Sequence, residues 1–147
     1  MGSRSYGFDI LTLLKDAGAI TASAAAQVGG SNKIIDLGAN TRVDAIAVID
    51  VTAIDIASAD EFYDVVVQVS NSSSFASGIE NVAALNLGKS AGRFGGAQDS
   101  TIGRYELPFC TEQNDTFYRY MRLYTVCGGT TPSINYTAFY APIPDNA

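Results

Sequence analysis

From Gly18 onward no stretch sustains helical spacing. Turn chemistry cuts the chain into about eight short β-like runs, at 20–28, 33–37, 43–52, 62–70, 82–87, 102–109, 116–126 and 133–141. The separators are rich in Gly, Asn, Ser and Pro, as in Gly29, Gly30, Ser31 and Asn32, or the pair Gly128 and Gly129 ahead of Pro132. Within 62–70, Val65, Val67 and Val69 alternate against Asp64, Val66, Gln68 and Ser70, so one face of that strand is core. Within 43–52 both faces are apolar at the centre, which predicts a strand covered on both sides. These patterns specify an all-β fold, an antiparallel jelly-roll-like β-sandwich of about eight strands. The one helical spacing, Ile10, Leu11, Leu13 and Leu14 within 9–17, lasts about two turns and reads either as a short helix or as an extended arm laid on a neighbour. The expected organisation is therefore an N-terminal arm, 1–16, and a single sandwich domain, 17–147.

Function classes narrow by what the composition lacks. Histidine is absent from all 147 residues, which removes the usual general base at neutral pH and the commonest transition-metal ligand. An enzyme is not expected, and no cofactor. Fifteen acidic against nine scattered basic residues give a net charge of −6, opposite to what a phosphate backbone selects, so no nucleic-acid partner is expected. No apolar run approaches a membrane span, and the N-terminus lacks a signal-peptide core, so no membrane partner is expected and the product is expected to stay where it is made. Charged residues are only 16% of the chain where roughly a quarter is usual, which suggests that a partner covers part of the surface.

Candidate chemistry is sparse. The acidic group Asp50, Asp55, Asp60, Glu61 and Asp64 has no EF-hand spacing and reads as a solvated loop rather than a Ca²⁺ site. Cys110 and Cys127 would lie far apart if 102–110 and 116–127 formed a hairpin joined by 111–115, so free, buried thiols are expected. Two segments suit contact with something external. In the glycine-rich loop 88–100, Arg93 and Phe94 form an anchor pair of the kind that dominates binding hot spots. In the run 116–126, alternation puts Tyr118, Tyr120, Arg122 and Tyr124 on one face, with Phe117, Arg119, Met121 and Leu123 on the other. The second face can pack a core, while the first offers rigid amphipathic area at low entropy cost.

The order of Leu-Leu-Lys-Asp-Ala-Gly-Ala-Ile-Thr-Ala-Ser (13–23), Ile-Ile-Asp-Leu-Gly (34–38), Val-Val-Val-Gln-Val-Ser-Asn-Ser-Ser-Ser-Phe (65–75), Tyr-Glu-Leu-Pro (105–108) and Arg-Tyr-Met-Arg-Leu-Tyr (119–124) resembles the capsid cement proteins of tailed bacteriophages, of the type first described in Bordetella phages. The resemblance implies a jelly-roll decoration protein on the outer surface of the virion capsid, made in the bacterial cytoplasm. It implies the major capsid protein as partner, together with further copies of the chain itself as a dimer or trimer, and no catalytic site. On that reading the arm residues Tyr6, Phe8, Ile10, Leu11 and Leu14, the loop pair Arg93 and Phe94, and the tyrosine face are the contact candidates. The strand, Ser/Asn turn and aromatic pattern is also similar to discoidin-like carbohydrate-binding sandwiches, although the tryptophan and histidine that such sites commonly use are missing.

Overall fold

The computed structural model describes residues 10–89 and 100–143. A 3-10 turn (Ile10–Thr12) is followed by β1 (Leu13–Lys15), β2 (Ala19–Ile20), β3 (Ala24–Ala25), β4 (Gln27–Val28), β5 (Ser31–Asn32) and β6 (Ile35–Asp36). The long strands come next: β7 (Asp44–Ile54), β8 (Phe62–Ser70), β9 (Glu80–Gly88) and β10 (Gly103–Cys110). A small ribbon, β11 (Glu112–Gln113) with β12 (Thr116–Phe117), precedes β13 (Tyr120–Gly128) and β14 (Ile134–Pro142).

Two antiparallel sheets pack face to face. The first is ordered β1, β14, β7, β10, with β2 beside β1 on the same flank of β14, and the second β3, β13, β8, β9, with β6 beside β3 on β13. Strands β1 with β2, and β3 with β6, thus fill one position each beside the six long strands, which gives eight positions in the two sheets among the described residues, and the pairing is nested. First pairs with last, second with seventh, third with sixth (β7 with β10) and fourth with fifth (β8 with β9). Such nesting results when one long antiparallel ribbon folds over across two sheets, as in a jelly roll.

Alternation fills the space between the sheets. Ala45, Ala47, Ile49 and Val51 of β7 meet Val65, Val67 and Val69 of β8, Met121 and Leu123 of β13, and Ile134, Tyr136 and Ala138 of β14. Each fully buried aliphatic side chain contributes about 1.5–3 kcal/mol. The other face of β7 is covered too, because Ile46 and Val48 cluster with Phe139 and Ala141, as the doubly apolar run predicts. Two fully buried tyrosines have their hydroxyls satisfied inside the fold. Tyr63 Oη donates to the Asp55 carbonyl at 2.7 Å and accepts from Ser133 N at 2.8 Å, while Tyr136 Oη meets Thr125 Oγ1 at 2.7 Å and so ties β14 to the opposite sheet.

Glycine is required where the 60–61 corner is gripped. Gly129, at φ +100°, would bring a Cβ to 2.6 Å from the Asp60 carbonyl oxygen, and at Gly88, φ +77°, a Cβ would collide with the Glu61 carbonyl oxygen. Lys89 N donates to that same oxygen at 2.6 Å. Glu61 itself is 1% exposed, its carboxylate accepting from Ser58 N, so it departs from the expected solvated acidic loop.

Several further expectations are corrected. The helix is a single 3-10 turn, and the chain then extends as β1, with Leu13 opposite Phe139. Leu14 is 0% exposed in the protein's own core and cannot grip a partner; its neighbour Lys15 is buried and donates to the Asp16, Gly18 and Tyr136 carbonyls at 2.8–2.9 Å. Residues 13–15 are thus part of the sandwich, not of an arm. β10 and β13 lie in different sheets, so 102–109 and 116–126 are not a hairpin pair. Instead the ribbon β11–β12 turns on Asn114 and Asp115, both at positive φ as a two-residue hairpin loop demands. Both cysteines are free, but each is partly exposed rather than buried.

Candidate interaction face

β13 puts Met121 and Leu123 inward against Val69 and Val67, which turns Tyr120, Arg122 and Tyr124 outward on the second sheet, opposite Ser70, Gln68 and Val66. All three outward side chains are half-buried. Tyr118 does not join them. It precedes β13, after the β11–β12 ribbon, and packs against the core. Arg119 is likewise not a core-face residue. Its guanidinium makes a bidentate pair with Asp36 at 2.8 and 2.9 Å and lies 5.3 Å from the Tyr120 ring, locking β6 to β13. That hydrogen-bonded pair, helped by Gly38 N, holds the Asp36 carboxyl down at about 2.

Arg122 is built in from three sides. Its guanidinium carbon sits 4.4 Å from the centre of the Phe75 ring and 5.3 Å from that of Tyr124, and its Nε donates to Gln68 Oε1 at 2.9 Å. Gln68 is oriented in turn, because its Nε2 donates to Asn81 Oδ1 at 3.1 Å. Phe75 reaches this place by a costly backbone. It stands at φ +56°, a conformation that disfavours a bulky side chain by about 1 kcal/mol or more. The serines of 70–74 hold it there: Phe75 N donates to the Ser72 carbonyl at 3.1 Å, Ala76 N to Ser72 Oγ at 3.2 Å, and Ser70 Oγ to the Ser77 carbonyl at 2.8 Å. Partial burial among these groups lowers the Arg122 pKa.

A guanidinium held against aromatic rings keeps hydrogen-bond donors at its rim while its faces are taken up by the rings. Among the described residues, no group of three or more Cys, Asp and Glu side chains is placed to hold a metal. Among the described residues, clefts open elsewhere: around Lys15, Gly18, Ile20 and Gln27 at the N-terminal corner, beside Ile54 and Ser133, and between Leu13, Arg104 and Phe139 on the first sheet. Tyr120, Arg122 and Tyr124 line none of these.

Of the remaining contact candidates, Leu11 is 74% exposed. Tyr6, Phe8, Arg93 and Phe94 lie outside the described residues, as does the side chain of Ile10. Sequence reasoning missed Phe75 as a ring against Arg122, and it missed Gln68 as its acceptor. The Asn-Ser-Ser-Ser run ahead of an aromatic residue was the available signal for the first, while the second needs the β8–β13 register. Compared with known proteins, the chain matches no family model, and no curated protein matches it.

Proposed function

We propose that this chain is a non-enzymatic capsid cement protein, which binds the outer surface of a tailed-phage head and stabilises it by bridging major capsid subunits. The observation that carries the reading is the open outer face of the second sheet, where Tyr120, Tyr124 and the aromatic-backed Arg122 stand away from the clefts. Tyr and Arg are the residues that concentrate binding energy at protein interfaces. Exposed Leu11 adds an apolar contact at the start of the sandwich. The order of sequence motifs, the jelly-roll-like nesting and the low charge content support the same role. A symmetric dimer or trimer would turn modest single contacts into firm attachment by avidity.

The test is sedimentation of the purified protein with expanded heads assembled from the major capsid protein of the same genome. Cosedimentation and a raised rupture temperature are expected, both weakened in a Tyr120→Ser, Tyr124→Ser variant that melts like the parent. Failure to cosediment, with retention on immobilised polysaccharide instead, would replace this reading with the discoidin-like carbohydrate-binding module.

A further inference from the structure

Four arginines fall among the described residues, and three of them have carboxylates. Arg42 pairs with Asp44 at 3.1 Å and Glu112 at 3.6 Å, Arg104 with Asp50 at 2.7 Å, and Arg119 with Asp36 at 2.8 Å. Arg122 has no carboxylate within 4 Å among the described residues, although the chain carries fifteen acidic residues against nine basic ones. Its one hydrogen bond to protein is to the neutral oxygen of Gln68, made by Nε, which leaves the terminal nitrogens of the guanidinium fork without a protein acceptor among the described residues. A charge is thus half-withdrawn from water, clamped between Phe75 and Tyr124, and left uncompensated.

We infer that Arg122 is a receptor site for the carboxylate of an Asp or Glu side chain on a protein partner. The fork is pre-set: Gln68 and the two rings fix the guanidinium plane, so little side-chain entropy is lost when a carboxylate docks. The strained Phe75 backbone and its serine bracing support a cation that no carboxylate of its own described chain uses. A charge-assisted pair on a partly desolvated guanidinium is stronger than one in open water. An acidic side chain, rather than an acidic sugar, suits the site because it stands on an open sheet face between half-buried tyrosines, where a flat protein surface can close over it. The site belongs to the isolated chain and holds whether or not the partner is a capsid.

The experiment is a titration of the ¹⁵N-labelled full chain, following the arginine Nε–Hε resonances as N-acetyl-glutamate amide is added, with N-acetyl-glutamine amide and glucuronate as parallel arms. The expected result is a saturable shift of the Arg122 signal with the glutamate ligand, absent with the glutamine ligand, while the resonances of Arg42, Arg104 and Arg119 stay put. Arg122→Lys keeps the charge but not the fork, and its protein should bind the ligand at least ~10-fold more weakly with an unchanged melting temperature. Equal shifts at all arginines, equal response to both amides, or binding of glucuronate alone would overturn the assignment. A positive titration with heads that still fail to bind would reject the cement role and leave this site standing.

Discussion

At the level of single residues, the interior is tuned by burial, and Tyr136 shows the sign of that tuning. Burial pushes its hydroxyl up to about 12, only partly opposed by the bond to Thr125. An unfolded tyrosine ionises near 10, so above that pH the unfolded chain gives up its proton while the folded one still holds it. The stability tied to this group is therefore complete below pH 10 and is lost as pH rises toward 12. The loss is on the order of 2–3 kcal/mol at the top of that window. Tyr136→Phe should remove this share of the alkaline slope in urea midpoints compared at pH 8 and pH 11. At pH 8 the variant should itself be about 1–2 kcal/mol less stable, because the Thr125 hydroxyl is left buried without its partner.

Among the elements, what period and turn chemistry encode was legible, and what tertiary pairing decides was not. The six long strands follow from alternation and from glycine-marked corners, since a valine row such as Val65, Val67 and Val69 has only one way to face a core. β1 was obscured because Ile10, Leu11, Leu13 and Leu14 satisfy about two turns of helical spacing as well as they suit an extended arm. What extends the chain there is remote: Phe139 as strand partner and the Tyr136 carbonyl as acceptor for Lys15, both more than a hundred residues away. The candidate site divides in the same way. Tyr120, Arg122 and Tyr124 are visible as an alternating face, whereas Tyr118 leaves that face because the β11–β12 ribbon interrupts the run, and Gln68 joins Arg122 only through register. A truncation tests this: removing 1–16 should cost more than about 3 kcal/mol in the urea midpoint, because it deletes β1, Leu14 and the Lys15 seat at once, so a loss of head binding in that variant would report on folding and not on an arm alone.

For the whole molecule, the two outer faces are unequal, and that asymmetry bears on how it would act. The first sheet keeps Ile46, Val48, Phe139 and Ala141 buried on its outer side, whereas the second carries Tyr120, Arg122 and Tyr124 half-exposed. If the second face binds a surface present only on the assembled head, linkage requires attachment to stabilise the head by an amount that grows with the logarithm of free protein. Each tenfold rise above saturation adds about 1.4 kcal/mol per site. Head rupture temperature should therefore climb steadily with added protein beyond the point where sedimentation shows the sites to be full, as long as released protein loses its binding surface when shell subunits separate. Arg122→Gln should shift that whole curve to higher protein concentration without changing its slope, because it weakens each contact but not the number of sites. A rupture temperature that stays flat beyond saturation would mean that the protein binds intact and separated subunits alike, and so decorates the shell without cementing it.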